Sequence, residues 1–291
     1  MIDEKLLCKT PAIDVSFKSI SVEHMEPLEH YHDTCEIALF VRADVNVFLK
    51  DRQYAIRDGD LLFIDAYEIH KIIYTEGKDY SRYVLNFSKS CLQDILALLG
   101  VADILQSISR SGTRRIRLNL KQCDRMKDRL DELIKDNQKK DKAGAINRSV
   151  LARMRLKLCE LIIDLHSLLQ KADASCPDNT ADTAVRKVLY YLDTMYMNPI
   201  TLELLEKEFT LSKYHLAHRF KAVTGLTVIG YLQLKRVIEA QKSLRQSTQS
   251  ITDICYDCGF NNVQHFYRVF KKVTRQTPLA YRQTNLPFPE K

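Results

Sequence analysis

An internal repeat in the last third of the chain is the feature that most restricts its fold. Residues 215–231 align with residues 265–281 at an offset of 50 residues, and seven of the seventeen aligned positions are identical. The identical pairs are His215/His265, Phe220/Phe270, Lys221/Lys271, Val223/Val273, Thr224/Thr274, Thr227/Thr277 and Tyr231/Tyr281. Self-similarity at a fixed offset indicates a supersecondary unit that occurs more than once. The C-terminal segment is therefore predicted to contain two copies of one small motif.

The first copy has the pattern of a short helix, a turn and a second helix. The short helix is predicted over 202–209, and Thr210 and Leu211 form the turn. Ser212 is predicted to cap the second helix, because its side-chain oxygen can accept a hydrogen bond from a backbone N–H of the first turn. Gly225 is predicted to end that helix, since glycine readily takes the left-handed conformation found there.

The second copy repeats this order. Ser250 and Asp253 form a capping pattern that opens a short helix ending at Cys258. Asn261 or Asn262 is predicted to cap the second helix of this copy. Both copies are therefore predicted to be helix-turn-helix units.

One long helix is predicted to join the two copies. It covers 228–246, and at about 1.5 Å per residue it is about 28 Å long. That length is close to one turn of DNA, about 34 Å. The second helices of the two copies are therefore expected to enter successive stretches of the major groove on one side of a duplex.

The second helix of each copy has a polar face opposite its apolar face, with the spacing that presents one ridge outward. The outward residues are Lys213, Tyr214, Ala217, His218 and Lys221 in the first copy, and Val263, Gln264, Tyr267, Arg268 and Lys271 in the second. Residues 181–291 contain 16 Lys and Arg but only 9 Asp and Glu, so the whole net charge of +7 lies there. A basic surface of this kind suits DNA phosphates, although two ordinary solvated helix faces are the other interpretation.

The remaining composition indicates a cytoplasmic protein that makes no contact with a membrane. The N-terminus lacks the basic and apolar regions of a secretory signal. No stretch approaches the ~18 apolar residues that identify a membrane helix. The eight cysteines are scattered without the spacing of a disulfide framework, which favours reduced thiols in the cytosol.

A series of motifs runs through both copies. They are LSKYHLAHRFK at 211–221, Thr224-Gly225, Tyr231, ITDI at 251–254, CGF at 258–260, FYRVFK at 266–271 and TPLAYR at 277–282. With these motifs, the segment 200–282 resembles the DNA-binding domain of the AraC/XylS family of bacterial transcription regulators. The resemblance implies seven helices, two of which are recognition helices that bind double-stranded DNA.

The resemblance also implies which residues contact DNA when the family pattern is carried over by position. The implied base contacts are Tyr214, Ala217 and His218 in the first copy, and Val263, Gln264, His265, Tyr267 and Arg268 in the second. The implied phosphate contacts are Ser212, Lys213, Arg219, Lys221, Arg236, Lys271, Lys272 and Arg275. Ala217 and His218 replace longer polar side chains. Arg275 replaces the common glycine, so it either strains its turn or adds a phosphate contact.

The first part of the chain changes from a strand pattern to a helix pattern near residue 90. Seven short segments rich in Val, Ile, Phe and Tyr alternate with turn residues, which predicts an antiparallel barrel or sandwich. The predicted strands are 15–20, 36–41, 45–50, 53–57, 61–64, 69–74 and 80–87. Amphipathic helices follow over 121–139 and 147–170. The broad apolar stripe of the longer helix is predicted to pack either in the core or against a second subunit.

The predicted fold class is α+β, with four segments. They are a β-barrel effector domain over 1–90, a helical dimerisation or packing region over 91–170, a linker over 171–182 and a double helix-turn-helix DNA-binding domain over 183–291. The barrel is expected to be cupin-like, because members of the AraC/XylS family often carry such a sensor domain.

Four polar residues of the barrel follow a known cupin pattern. His30, His32, Glu36 and His70 resemble the three histidines and one glutamate that bind a divalent metal in metal-binding cupins. Alternatively, these residues line a pocket for an organic effector, which is the preferred interpretation, or they only shape the strands. Apart from such a metal, no cofactor is expected.

The resemblance implies a sequence-specific DNA-binding regulator, an activator rather than an enzyme. Its expected partners are DNA, RNA polymerase, a second copy of the chain and a small-molecule effector, for which a sugar is one candidate. The alternative function is a metal-dependent cupin enzyme with the helical segment as an accessory.

Overall fold

In the computed structural model, the described residues are 13–21, 29–50, 52–75, 78–111, 114–139, 146–171, 179–180 and 183–285. Only the backbone is described for Ile20, Ser21, Glu29, His30, Asn179, Thr180 and Asn285. Contacts divide the chain into two compact units, one formed mainly by 8–49 and 53–179 and the other mainly by 180–291. Most of the predicted linker, 171–182, lies outside the described residues.

The first unit contains two antiparallel sheets. The strands are β1 Ile13–Ser21, β2 Glu29–His30, β3 Cys35–Arg42, β4 Asp44–Leu49, β5 Arg52–Arg57, β6 Asp60–Ile64, β7 His70–Tyr74, β8 Asp79–Phe87, β9 Arg115–Arg117 and β10 Asn179–Thr180. One sheet has the order β1-β8-β3-β6-β9 and the other β10-β5-β4-β7-β2. The pairings of β3 with β6 and β8, and of β4 with β7, are antiparallel. The predicted all-β start of the chain is therefore confirmed.

Successive side chains of β3 point alternately into two different hydrophobic cores. Ile37 and Leu39 belong to a core that also contains apolar residues of the helices. Ala38 and Phe40 belong to a second core, which contains Val47 of the other sheet. Because successive side chains of a strand point to opposite faces, one face of this sheet is covered by helices and the other by strands.

Four helices and a short 3-10 turn follow β8 in the first unit. They are the 3-10 turn Lys89–Cys91, α1 Gln93–Leu98, α2 Ile104–Arg110, α3 Leu120–Asn137 and α4 Arg148–Lys171. The region 91–170, predicted to be helical, also contains one short strand, β9, which pairs with β6. The apolar stripe of α4 is buried in the chain's own core, so it is not free to pack against a second subunit.

The second unit is helical. Its helices are α5 Thr183–Met195, α6 Leu202–Phe209, α7 Lys213–Thr224, α8 Val228–Gln246, α9 Ile251–Asp257, α10 Val263–Thr274 and α11 Pro278–Asn285. The structure confirms both helix-turn-helix copies, α6–α7 and α9–α10, and the joining helix α8. Gly225 follows α7 with a φ of 82°, as predicted. None of the helices in the described ranges is long and apolar enough to cross a membrane.

The cysteines in the described ranges are free thiols. Five of them are buried, including Cys255 of α9 and Cys258 directly after it, whose side chains pack in the interior. Burial raises the pKa of Cys258 to about 12, so this thiol is a poor nucleophile and metal ligand. Cys8 and Cys176 lie outside the described residues.

Candidate functional site

The two second helices, α7 and α10, begin with different caps. Asn262 accepts a hydrogen bond from the backbone N–H of His265 at 2.8 Å, which confirms its predicted capping role. Ser212 is the N-cap residue of α7, as predicted, but the predicted side-chain hydrogen bond is not made. Oε1 of Glu206 accepts from the backbone N–H of Lys213 at 3.0 Å instead. The start of α7 is thus held by a side chain from α6.

The outward face of α7 carries the three predicted base-contacting residues of the first copy. The side chain of Tyr214 is 78% exposed, His218 is exposed and Ala217 is half-buried. The ammonium of Lys213 lies 5.7 Å from the centroid of the Tyr214 ring. Phe220 is fully buried on the opposite face. This face can therefore approach a groove, but none of its three predicted base-contacting residues carries a forked pair of hydrogen-bonding groups.

The outward face of α10 is richer in hydrogen-bonding groups. Gln264 and Arg268 are exposed, whereas Val263, His265 and Tyr267 are half-buried. Nη2 of Arg268 donates to Nδ1 of His265 at 3.0 Å, so the guanidinium is held along the helix. Gln and Arg are side chains that can bind adenine and guanine edges with two hydrogen bonds. The second copy therefore exposes more side chains with paired hydrogen-bonding groups than the first.

Four cations surround one groove at the C-terminal part of α10. They are Arg268, Lys271, Lys272 and Arg275, and all four are exposed. Arg275 follows the helix with a φ of 61°, in the left-handed conformation. Clustered Lys and Arg side chains are typical of phosphate contacts in DNA complexes.

The predicted phosphate-contacting residues of the first copy are more dispersed. Ser212 and Lys221 are exposed, and Arg219 is half-buried. Nζ of Lys213 forms an ion pair with Glu203 at 3.2 Å. Because exposed ion pairs are weak, this one leaves Lys213 available to a stronger anion.

Arg236 stands apart from the other predicted phosphate contacts. Its Nε donates to the carbonyl oxygen of Tyr196 at 2.7 Å, and its Nη2 donates to that of Asn198 at 2.8 Å. The side chain is half-buried. Because two of its donors already bind backbone carbonyl groups of the protein, the guanidinium of Arg236 is poorly placed to contact a phosphate.

A polar cluster lies between the two sheets of the first unit. Oε1 of Glu36 accepts from Nη1 of Arg82 at 3.2 Å, and Oε2 lies 3.3 Å from Nε2 of His32. The rings of His32 and His70 are 5.1 Å apart, and potential metal-ligating atoms of His32, Glu36 and His70 all lie within 4.8 Å of one another. The backbone of His30 pairs with His70, but its side chain lies outside the described atoms. The structure therefore brings together three of the four predicted residues.

The charges in this cluster keep Glu36 ionised. Burial raises the pKa of Glu36, but the Arg82 guanidinium and the hydrogen bond with His32 outweigh it and hold the pKa well below its ordinary value. Burial also lowers the pKa of His32, yet Glu36 raises it more, so the pKa lies above its usual value. The centre of the cluster is a buried ion pair flanked by imidazoles.

Two polar residues of this cluster were missed by the sequence analysis. Nε of Arg82 and Oη of Tyr80 are buried and have no hydrogen-bond partner among the residues that the structure describes. The guanidinium carbon of Arg82 lies 5.9 Å from the centroid of the Tyr80 ring. Both residues lie on β8 at alternate positions, so the period of two along the predicted strand was the available signal.

The donor types of the cluster only partly fit a metal ion. Two imidazoles and one carboxylate suit a divalent transition metal. However, a metal bound to Glu36 would lie beside the buried guanidinium of Arg82, and like charges repel strongly in a medium of low dielectric constant. The cluster therefore fits a polar organic ligand better than a metal ion.

Known proteins resemble this chain along most of its length. The HTH-type transcriptional activator RhaR of Escherichia coli is 27% identical over 88% of this chain and 87% of its own length. RhaS of Citrobacter koseri, also an HTH-type transcriptional activator, is 26% identical over the same shares. The structure of ToxT from Vibrio cholerae matches 95% of this chain and 100% of that chain, with 11% identity and a TM-score of 0.38.

Two family descriptions match separate parts of the chain. Residues 19–149 match the AraC-like ligand binding domain, which covers the sheets and the first helices. Residues 205–284 match a helix-turn-helix domain, which covers both copies and α8. With a ligand-binding domain, a duplicated helix-turn-helix domain and activators as full-length relatives, the chain belongs to the AraC family of transcription regulators.

Proposed function

We propose that this protein activates transcription by reading two adjacent DNA subsites with α7 and α10, under the control of a small organic effector. The main observation in support is that each of these helices exposes a polar face on the side opposite its buried aromatic residues. Tyr214 and His218 form the exposed face of α7, and Gln264 and Arg268 that of α10. RhaR and RhaS are described as activators, which supports activation and contact with RNA polymerase. DNA as target supports a cytoplasmic location.

Binding to a duplex selected by the full-length protein from a random library tests this proposal. Gln264→Ala should lower affinity for the selected duplex by about 1–3 kcal/mol and relax the preference at one position. Lys271→Ala is the matched control, since losing a phosphate contact should weaken binding to selected and scrambled DNA alike. Equal affinity of the unaltered protein for both duplexes at all salt concentrations would contradict the proposal.

The effector is proposed to bind between the sheets, beside the Glu36–Arg82 ion pair. Buried polar atoms ordinarily have hydrogen-bond partners, and the free donors of Arg82 and Tyr80 face this interior. A compound with several hydroxyl groups, such as a sugar, offers acceptors to both and donors to Glu36. This assignment also favours a regulator without catalytic activity, because the ion pair with Arg82 already neutralises the carboxylate of Glu36.

A thermal-shift screen of sugars and of small carboxylic acids tests the effector site. Tyr80→Phe keeps the ring and removes only the hydroxyl, so it should abolish most of the ligand-induced shift and leave the Tm of the free protein within a few degrees. Tyr190→Phe, an exposed tyrosine on α5, is the control. A ligand whose shift is the same in Tyr80→Phe and in the unaltered protein binds elsewhere.

A metal-dependent cupin enzyme is the second candidate, and only the His32, Glu36 and His70 cluster favours it. Elemental analysis of the purified protein, with and without added Zn²⁺, Fe²⁺, Ni²⁺ and Mn²⁺, separates the two functions. A stoichiometric metal that is lost in Glu36→Gln would support the enzyme. Effector binding that is unchanged by a chelator would support the regulator.

The broad apolar stripe of α4 is buried in the core of the chain. Homodimerisation is therefore proposed through the outer face of this helix. Leu156 and Ile163 are seven residues apart on this helix and are 60% and 36% exposed. Because seven residues make about two helical turns, both side chains lie on the same side of the helix. Leu156→Glu should shift the sedimentation coefficient from dimer to monomer. Leu120→Glu, at another exposed leucine, should leave it unchanged. A monomeric unaltered protein at micromolar concentration would contradict this part.

A further inference from the structure

The connection between α5 and α6 is fastened to the middle of α8 by one guanidinium. Arg236 donates from Nε to the carbonyl oxygen of Tyr196 and from Nη2 to that of Asn198, at 2.7 and 2.8 Å. The carbonyl groups at the end of a helix have no partner within the helix. Two hydrogen bonds from a charged donor to such groups are stronger than bonds between neutral groups. The segment that leads into the first helix-turn-helix copy is thus held by the helix that joins the copies.

The same connection touches the turn of the second copy. Gly259 lies between α9 and α10 with a φ of 83°. A Cβ atom at this position would stand 2.7 Å from the carbonyl oxygens of both Tyr196 and Met197. Such a distance is much shorter than a van der Waals contact, and the obstructing atoms are backbone. The turn of the second copy therefore packs directly against the backbone that precedes the first copy.

Arg236 also reaches the second copy. Its guanidinium carbon lies 5.8 Å from the centroid of the ring of Phe260, the residue that follows Gly259. That ring packs in turn against Phe266 of α10, with centroids 5.1 Å apart. A continuous series of contacts therefore runs from the connection before α6, through Arg236 and Phe260, to the second recognition helix.

We propose that Arg236 and Gly259 fix the separation of the two helix-turn-helix copies and so determine the spacing between DNA subsites that the protein accepts. Arg236 is a positioning residue that acts through the backbone at 196–198 and through Phe260, and it makes no contact with DNA. The proposal rests on the proposed two-subsite DNA binding. Without these contacts, the connection before α6 would lose its two hydrogen bonds to α8 and its close packing against the turn of the second copy, so the two copies could tilt relative to each other.

The test uses the full chain and the duplex it selects from a random library, together with duplexes that have one or two base pairs inserted between the subsites. Arg236→Ala should bind the selected duplex about tenfold more weakly, because a looser connection lowers the effective concentration of the second copy at its subsite. Its affinity should also fall less with each insertion than that of the unaltered protein. Arg236→Lys keeps the charge but cannot place two planar donors on both carbonyls, so it should behave like Arg236→Ala.

The dependence of affinity on salt distinguishes positioning from a phosphate contact. Arg236→Ala should leave the slope of log K against log salt unchanged, whereas the control Lys272→Ala should reduce it by about 0.9, the value for one phosphate contact. Phe260→Leu keeps an apolar side chain and removes only the ring beneath the guanidinium. It should weaken the spacing preference in a protein whose circular dichroism is unaltered, and it replaces Arg236→Ala if that variant does not fold.

The outcomes separate the two proposals. If the unaltered protein selects no sequence at all, the proposed DNA reading fails. If it selects a two-subsite duplex but Arg236→Lys binds like the unaltered protein and Arg236→Ala loses about 0.9 of the salt slope, Arg236 is a phosphate contact and the positioning role is overturned. An unchanged spacing profile in folded Arg236→Ala and Phe260→Leu variants would overturn it as well.

Discussion

The two helix-turn-helix copies share their interior and differ at their surfaces. The rings of Phe220 and Tyr231 lie 5.7 Å apart in an edge-on arrangement, and those of Phe270 and Tyr281 lie 5.6 Å apart in the same arrangement. All four rings are buried. These two identical pairs thus fasten the second helix of each copy to the helix that follows it.

A hydroxyl group after each second helix is also shared. Oγ1 of Thr224 donates to the carbonyl oxygen of Phe220 at 2.7 Å and accepts from the N–H of Leu226. Thr274 repeats both bonds, at 2.8 Å to Phe270 and at 3.2 Å from the N–H two residues on. Both threonines are buried. Duplication has therefore preserved the turn chemistry, while four of the five outward positions of the second helix differ and the fifth is a lysine in both copies, Lys221 and Lys271.

The largest expected effect tests whether the shared interior is equivalent in the two copies. Phe220→Ala and Phe270→Ala each remove a fully buried ring, so each should destabilise the protein by about 3–5 kcal/mol. Urea unfolding followed by circular dichroism measures the loss, with Leu120→Ala, at an exposed leucine, as a control. A difference of more than about 2 kcal/mol between the two would show that one copy supports the other rather than matching it.

Local patterns were enough to predict the helices of the second unit, because their ends depend on nearby residues. Thr227 accepts from the N–H of Gly230 at 3.0 Å and starts α8 where the sequence indicated. Strand β9 was missed because its pairing depends on a distant residue. Arg117 donates twice to the buried carboxylate of Asp60 at 2.8 Å, and these residues lie 57 positions apart. A three-residue strand inside a helical stretch leaves no periodic pattern.

The candidate sites show the same difference between features that depend on nearby residues and features that depend on distant ones. The exposed faces of α7 and α10 follow directly from helical periodicity, so the sequence could predict them. The effector cluster was predicted only in part, since the resemblance pointed to Glu36 but not to Arg82, 46 positions away. Likewise, Arg236 has the charge and position of a phosphate contact, and only the tertiary structure shows that its donors bind Tyr196 and Asn198.

The next effect concerns the divergent faces. Arg268→Ala should cost about 1–3 kcal/mol of discrimination at the base pair beneath α10. His218→Ala should cost less than about 1 kcal/mol, because an imidazole offers a single hydrogen bond in place of a fork. Affinities for single-base variants of the selected duplex measure both. An equal or larger loss in His218→Ala would show that the two copies read bases to the same extent.

A smaller effect concerns the different caps of the two recognition helices. Asn262→Ala removes the bond to the N–H of His265 and should destabilise the second copy by about 1 kcal/mol. Ser212→Ala should change stability by less than about 0.5 kcal/mol, because Ser212 makes no cap bond and Glu206 holds the start of α7. Midpoints of urea unfolding test both variants. A matching loss in Ser212→Ala would mean that its hydroxyl caps the helix in solution.

The smallest effect concerns the left-handed residues that end the two helices, Gly225 and Arg275. Arg275 has a φ of 61°, a conformation that costs a side-chain-bearing residue about 1–2 kcal/mol. Arg275→Gly relieves this cost but increases the entropy of the unfolded chain, by about 0.5–1 kcal/mol. The net gain in stability should therefore be about 0.5 kcal/mol, whereas Gly225→Ala at a φ of 82° should lose about 1 kcal/mol.

DNA binding by the same variant then shows why an arginine stands where a glycine is easier to accommodate. Arg275 is exposed beside Lys271 and Lys272, so Arg275→Gly should lower the salt slope by about 0.9 while its stability rises. Opposite signs for stability and affinity would mean that the second copy keeps a strained turn in order to hold a phosphate. If affinity and salt slope are unchanged, the strain at Arg275 has no counterpart in binding, and the divergence of the two turns is unrelated to DNA.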